Sequence, residues 1–297
     1  MNRAVAPNEE QADRLPPKPA WIRAGRSDGL EDAAFMAGAA LSHFHTLMAR
    51  TEVPQDLLRD RLALQAAEGC VALIGRPERA ADLRDELHLL RAGDLLGPAG
   101  SIYHAWRRAT DRALSVASLQ RALPEVAPIS IATWLETARG GTPAARAAMG
   151  LEAALEQMPQ GETAALITAD AILAQAMGWR HMVPLLALGL RRADVRLRGE
   201  ALQMAVHRAA TAGVTTAARE ASALTRSTAR LRAVAPKLRA KGAQAAVALF
   251  LANDALAPTA LHSLKSDRAA RRLCDRLVDL GAVRELTGRD SFRLYGV

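Results

Sequence analysis

A mainly α-helical fold is predicted by the sequence, and three observations support this prediction. Half of the 297 residues are apolar but only 3% are aromatic, so alanine and leucine, which favour helices, supply most of the apolar surface. Apolar residues recur at helical spacing along most of the chain, as in Leu58, Leu62 and Ala66. Prolines and glycines divide these periodic segments into lengths typical of globular helices. The length suits two domains of ordinary size.

The first part of the chain is predicted to be a tail followed by a helical body. Residues 1–20 contain four prolines among charged residues and lack periodicity, which predicts a disordered tail. The body is predicted over residues 21–235, and Pro54, Pro98 and Pro143 suit the first turns of three of its helices. Its helices are predicted over residues 28–50, 54–74, 77–91, 98–113, 114–123, 129–138, 143–158, 162–177, 198–211 and 215–234.

Cysteine usage and hydropathy limit the classes of protein to which the chain can belong. Cys70 and Cys274 lie far apart, each in an apolar helical pattern, so we interpret both as core residues and not as a disulfide or a metal site. The N-terminus lacks the apolar segment of a signal peptide. The apolar stretch at residues 182–190 is too short to span a bilayer. We therefore expect a cytoplasmic protein with no membrane partner.

The positive charge of the chain points to an anionic partner. The net charge is +8 and the pI is about 10.4, as expected of a nucleic-acid-binding protein. Because a GC-rich genome also enriches arginine, local clustering is the better evidence. Between residues 219 and 242 the only acid is Glu220, against seven basic residues: Arg219, Arg226, Arg230, Arg232, Lys237, Arg239 and Lys241. A solvated helix face followed by a linker would give the same pattern.

The end of the chain has the pattern of a winged helix-turn-helix domain, predicted over residues 244–297. Residues 244–253 form an apolar first helix and residues 258–264 a short second one. Ser266 suits the N-cap of a third helix. The apolar stripe of that helix is Ala270, Leu273, Cys274, Leu277 and Leu280. Its opposite face carries Arg268, Arg271, Arg272, Asp275 and Arg276.

One β-hairpin is predicted to follow the third helix. Gly281 suits a left-handed C-cap, and residues 282–286 and 291–295 alternate around a polar turn, with Val283 and Leu286 against Phe292 and Leu294. A helix and a hairpin on the same side of a small domain can both reach a DNA duplex. We therefore expect double-stranded DNA as the partner. The expected contacts are Arg268, Arg271, Arg272 and Arg276 in the major groove, Arg284, Arg289 and Arg293 in the wing, and Lys237, Arg239 and Lys241 before the domain.

Several segments also resemble a known protein family. They are LRDELHL at residues 83–89, GD at 93–94, GPAG at 97–100, HAWR at 104–107, GW at 178–179, PLLA at 184–187, APKLRAKGA at 235–243 and the closing run 267–296. In this combination the chain resembles the bacterial domain-of-unknown-function family 1403, over nearly its full length after residue 20. The resemblance implies no activity.

Two alternatives to a DNA-binding regulator or accessory factor remain. A polar cluster in the body could make the chain an enzyme or a metal-binding protein centred on Asp85, His88 and Asp94, since Asp85 and His88 lie three residues apart on one helical face. The cluster consists of Arg84, Asp85, His88, Asp94 and His104. Alternatively, these residues have no chemical role and simply stabilise a turn. The second alternative is that the C-terminal domain is a protein-interaction adaptor.

No residue pattern points to a particular reaction, and the sequence favours a protein that is not an enzyme. Ser-His-Asp and Cys-His arrangements are missing from the sequence, so we assign no catalytic residue, metal or cofactor. The GPAG segment at residues 97–100 could hold a phosphate at a helix start, but it lacks the lysine of a P-loop. A second copy of the chain is a further expected partner. The role of the helical body is not predicted.

Overall fold

The computed structural model describes residues 15–23, 29–90 and 93–297. Most of the predicted tail, residues 1–14, therefore lies outside the described residues. The described residues contain twelve α-helices and one two-stranded antiparallel sheet, so the prediction of a mainly α-helical fold is confirmed. The helices are α1 Leu30–Met48, α2 Gln55–Leu73, α3 Ala80–Leu89, α4 Pro98–Asp111, α5 Val116–Ala122, α6 Pro128–Thr137, α7 Pro143–Gln157, α8 Glu162–Ala176, α9 Leu186–Gly189, α10 Gly199–Val234, α11 Ala243–Ala252 and α12 Asp267–Asp279.

The chain divides into two compact units. The first unit contains the described part of Met1–Lys18 with Thr46–Leu58 and Ala218–Val297. The second unit contains the described parts of Pro19–His45 and Arg59–Ala217. Within the described ranges, no helix combines the length and the hydropathy that a membrane span requires.

Helix α8 lies at the centre of the second unit. Every residue from Ala164 to Ala174 is buried, which is typical of a helix packed on all sides. Helix α7 crosses α8 closely at Gly150, where an added Cβ would lie 2.0 Å from Cδ1 of Ile172. Small residues at the crossing therefore bring the two helices together.

Helix α10 is continuous where the sequence predicted two helices separated near Gly213. The glycine does not break the helix, and it packs against backbone instead: an added Cβ would lie 2.0 Å from the carbonyl oxygen of Leu185. At a neighbouring contact, a Cβ on Gly189 would lie 2.3 Å from the carbonyl oxygen of Ala209. The absence of a side chain thus permits close packing, and this packing offsets the low helix propensity of glycine.

Helix α12 begins and ends as its sequence predicts. The hydroxyl of Ser266 accepts a hydrogen bond from the N–H of Ala269 at 3.3 Å, which confirms the N-cap. Gly281 has a φ of 65°, and its N–H donates to the carbonyl of Val278 at 2.8 Å. The N–H of Ala282 donates to the carbonyl of Leu277 at 2.9 Å, which completes a Schellman C-cap.

The predicted second helix at 258–264 is much shorter in the structure. Only Pro258–Ala260 forms a turn of 3-10 helix, and further i to i+3 hydrogen bonds continue to Leu264. A segment of seven residues can form only a few α-helical hydrogen bonds, and these do not offset the loss of conformational entropy when the first helical turn forms. Tighter turns therefore replace the helix.

The predicted hairpin is also shorter. Strand β1 (Arg284–Glu285) pairs with β2 (Tyr295–Gly296), and Leu256 forms an additional bridge to Tyr295. Phe292 does not pack inward as predicted, because its φ of 55° interrupts the alternation of the strand and 68% of the residue is exposed.

Candidate nucleic-acid interface

All of the net positive charge of the chain lies in its C-terminal 80 residues. Residues 218–297 contain 15 lysines and arginines against seven acids, whereas residues 1–217 contain 24 of each. Fourteen of these 15 basic residues are exposed, and Arg293 is half-buried. The first unit therefore presents a cationic surface to solvent.

Helix α12 divides into a buried face and a cationic face. Ala270, Leu273, Cys274 and Leu277 are buried. The opposite face exposes Arg268, Arg271, Arg272 and Arg276, which follow one another at helical spacing. Within the described part of the chain, none of these four arginines forms a salt bridge. Their guanidinium groups are therefore available to an external anion.

Two of the three predicted wing arginines are exposed, one in β1 and one in the loop between β1 and β2. Arg284 and Arg289 are exposed, and Nε of Arg293 donates to the carbonyl of Arg289 at 2.7 Å. Glu285 fixes the turn by accepting hydrogen bonds from the N–H groups of Thr287 and Gly288 at 2.7 and 2.8 Å. Burial raises the pKa of Glu285, but a hydrogen bond from the Thr287 hydroxyl and these two backbone bonds outweigh it and leave the pKa below its ordinary value.

The basic tract predicted before the domain is also exposed, at all seven of its lysines and arginines. Its carboxyl end lies close to the loop before α12. Gly242 has a φ of 90°, and its carbonyl accepts a hydrogen bond from the hydroxyl of Ser263 at 3.0 Å. Because Ser263 is only five residues from Arg268, this contact places the end of the tract, at Lys241, close to the start of α12. Two basic segments that are separate in sequence thus meet in the first unit.

The residues of the polar cluster predicted in the body differ in their exposure. Arg84, Asp85, His88 and His104 are half-buried, whereas Asp94 is exposed. Within the described ranges, no three His, Cys, Asp or Glu side chains lie close enough to hold a metal ion. Burial and then the nearby Arg108 and Arg107 lower the pKa of His104, which favours its neutral form.

No role was predicted from the sequence for Glu86, which lies in α3 next to Asp85. Its carboxylate accepts the N–H of Gly97 at the start of α4. A Cβ on Gly97 or Gly100 would lie 2.8 or 2.4 Å from a carboxylate oxygen of Glu86. The position considered for a phosphate at residues 97–100 is therefore occupied by an internal carboxylate, which balances the positive end of the helix.

Comparison with protein-family models supports the family resemblance that those sequence segments suggested. The family model for a protein of unknown function (DUF1403) matches residues 6–297. The chain belongs to the DUF1403 family. No curated protein matches it.

One buried carboxylate in this DUF1403 protein was not predicted from the sequence. Asp170 in α8 is completely buried and accepts hydrogen bonds from the N–H groups of Leu185, Leu186 and Ala187 at 2.9, 2.8 and 3.3 Å. Burial raises the pKa of Asp170 from 3.8 to about 7, against the effect of these bonds. The signal in the sequence was one acid in the interior of an otherwise apolar helix. Asp170 connects α8 to the start of α9 and faces no solvent.

The two cysteines of the DUF1403 protein are buried free thiols, as predicted. Nε1 of Trp106 donates to Sγ of Cys70 at 3.2 Å. Burial raises the pKa of both thiols to about 12, so neither forms the thiolate that nucleophilic chemistry requires. Both residues serve as small apolar side chains in the core.

Proposed function

We propose that this protein binds double-stranded DNA through its first unit and acts as a regulator or accessory factor of DNA. The observation that carries the proposal is the confinement of the whole net charge, +8, to residues 218–297, where nearly every basic side chain is exposed. A duplex carries about one negative charge per 1.7 Å of its axis, and release of its counterions favours such a surface. Residues 1–217 are neutral overall and would add no net attraction.

The proposal includes a winged helix-turn-helix arrangement for residues 244–297. Helix α11, the 3-10 turn, α12 and the hairpin follow one another in the order typical of that domain. The bridge from Leu256 to Tyr295 and the pairing of Tyr295 with Glu285 give three short extended segments, with residue 295 in the middle. These features support a wing formed by residues 284–296.

Helix α12 is the proposed recognition helix. The major groove of B-DNA admits one α-helix, and arginine can donate two hydrogen bonds to guanine. Arg268, Arg271, Arg272 and Arg276 face away from the core and would reach base edges and phosphates. Lys237, Arg239 and Lys241 would contact backbone phosphates beside the helix, and Arg284, Arg289 and Arg293 would contact the duplex from the wing.

Exposure of these arginines favours DNA over the alternative of a protein-interaction adaptor. An adaptor would use an apolar or mixed surface at its centre, because interface cores are depleted in charged residues. The exposed face of α12 instead carries four arginines and two acids, Asp275 and Asp279. The proposal places the protein in the cytoplasm with bacterial DNA, and a homodimer remains a prediction from the sequence.

Fluorescence anisotropy of a labelled 30-base-pair duplex between 50 and 300 mM salt tests the proposal. We expect the logarithm of the association constant to fall linearly with the logarithm of salt concentration. The double variant Arg271→Ala/Arg272→Ala should bind more weakly, and its slope should be smaller by about 2, because each lost phosphate contact removes about one.

The matched control is Arg121→Ala/Arg191→Ala, which removes two exposed arginines outside the first unit and changes the net charge equally. Its affinity and slope should equal those of the unmodified protein. An equal loss in both double variants would show that net charge alone matters and would remove α12 from the interface. Failure of the unmodified protein to bind duplex at 50 mM salt would refute DNA binding.

A further inference from the structure

The second unit contains a cavity of about 610 Å³. It lies where α2 ends, where α7 turns into α8, and along the segment that precedes α10. Its volume is within the range of about 300–1,000 Å³ that small-molecule sites occupy. The cavity is lined by Leu73, Ile74, Leu155, Pro159, Gln160, Glu162, Arg192, Val195, Arg196 and Arg198.

Three arginines and one acid give the cavity wall a local positive charge. Arg192, Arg196 and Arg198 lie within seven residues of one another, and the acid is Glu162 in the first turn of α8. Residues 1–217 carry equal numbers of basic and acidic side chains. The wall therefore concentrates positive charge in a part of the chain that is neutral overall.

These arginines are not used to balance the protein's own carboxylates. Within the part of the chain that the structure describes, none of the three forms a salt bridge. Arginines that stabilise a fold through charge commonly pair with acids, as Arg107 does with Asp60 at 2.7 Å in the same unit. The three guanidinium groups at the cavity thus retain donors for an external anion.

Backbone carbonyls hold the side chain of one of the three arginines, and a second lies near the turn after α2. Nη1 of Arg198 donates to the carbonyls of Val195 and Leu197 at 3.2 and 2.7 Å, which holds its side chain beside the cavity. Nη1 of Arg192 lies 3.7 Å from the position of a Cβ added to Gly75, at the turn after α2. Positioned guanidinium groups lose less conformational entropy when they bind an anion.

Apart from Gln160, the rest of the wall is apolar. Leu73, Ile74, Leu155 and Val195 contribute side chains, and Ile74 is 41% exposed although it is aliphatic. A wall that combines guanidinium groups with aliphatic side chains matches a molecule that has both a charged head and an apolar body.

We propose that this cavity binds a small organic anion whose phosphate or carboxylate head contacts Arg192 and Arg196 and whose apolar body lies against Leu73, Ile74 and Leu155. Arginine recognises both head groups through paired hydrogen bonds. The site does not depend on DNA binding, since all of its residues belong to the second unit.

Isothermal titration calorimetry of the full-length protein at low ionic strength tests the site with three probes. Phenyl phosphate and benzoate each carry an anionic head on an aromatic ring, and benzyl alcohol is a neutral molecule of similar size. We expect a phosphate or a carboxylate probe to bind and benzyl alcohol not to bind. The tighter of the two anions identifies the head group that the site prefers.

Variants on the cavity wall should change the affinity in opposite directions. Arg192→Gln/Arg196→Gln should weaken binding of the preferred anion by tenfold or more, since a hydrogen bond to a charged group is worth about tenfold or more. Glu162→Gln should tighten binding a few-fold because it removes a like charge from the wall. Arg191→Gln is the matched control, because Arg191 is exposed next to Arg192 but does not line the cavity.

Three results would overturn the proposal. One is the failure of both anions to bind at millimolar concentration. Another is an equal affinity for benzyl alcohol, which would show that the arginines take no part. The third is a loss in Arg191→Gln as large as in the double variant, which would indicate binding to charged surface in general. Circular dichroism of each variant confirms that it is folded.

Discussion

The stability of the second unit should fall as the pH rises, because the buried Asp170 then loses its proton. The folded pKa of about 7 lies above the unfolded value of 3.8, so the folded protein keeps this proton over a range in which the unfolded chain has lost it. The stabilisation is therefore complete below pH 3.8 and is lost progressively as the pH rises to about 7. A difference of about three between the two pKa values corresponds to about 4 kcal/mol over the whole range.

Urea unfolding at pH 5 and pH 7.5 measures this effect in the unit that contains Asp170. All four tryptophans, Trp21, Trp106, Trp134 and Trp179, lie in that unit, so intrinsic fluorescence reports its unfolding. Between these pH values Asp170 alone should lower the free energy of unfolding by about 3 kcal/mol.

The variant Asp170→Asn separates this contribution from that of other groups. Its amide oxygen can still accept the N–H groups of Leu185 and Leu186, but it does not titrate. The difference between pH 5 and pH 7.5 should therefore shrink by about 3 kcal/mol relative to the unmodified protein. Asp32→Asn removes an exposed carboxylate from the same unit and should leave the difference unchanged. An unaltered pH dependence in Asp170→Asn would refute the reasoning, because Asp170 would then ionise as easily when folded as when unfolded.

Three further predictions concern backbone geometry. Gly213→Ala should destabilise the second unit by at least about 1–3 kcal/mol in urea unfolding, because its methyl group would meet the carbonyl of Leu185. Ser266→Ala should cost about 1 kcal/mol through loss of the α12 N-cap, measured by amide hydrogen exchange in α12. Phe292→Gly should stabilise the first unit by up to about 1 kcal/mol in the same measurement, since glycine adopts positive φ without strain.

Each of these variants has a control or a result that contradicts it. Gly38 also lies inside a helix, but no atom lies within 4 Å of an added Cβ, so Gly38→Ala should stabilise the protein by about 1 kcal/mol. Equal effects at Gly38 and Gly213 would show that helix propensity and not packing decides. Restoration by Ser266→Asp would verify the cap. A loss of stability in Phe292→Gly would show that the aromatic side chain contributes more than its positive φ costs.

Local patterns predicted the helical elements and the two faces of α12. Apolar periodicity, Ser266 and Gly281 act over one or two turns, so their effects can be inferred from neighbouring residues alone. The exposure of Arg271 and Arg272 follows from the same periodicity, because the buried stripe that ends in Leu277 fixes the opposite face.

Contacts between distant segments could not be predicted in this way. Gly213 appeared to end a helix because its partner, the carbonyl of Leu185, is 28 residues away. Glu86 and Asp170 cap backbone N–H groups of other segments, and their roles depend on where the chain returns. Phe292 seemed to continue an alternating strand, but its positive φ depends on how the turn before it closes.

The separation of charge along the chain has a consequence for the way a polyanion approaches. At distances beyond the Debye length of about 8 Å the field is weak, and within that distance a large polyanion is attracted mainly by the C-terminal 80 residues, which carry the whole net charge. The field would thus orient the C-terminal 80 residues toward the polyanion before any side chain makes contact with it. Raising the ionic strength should slow association more than it speeds dissociation.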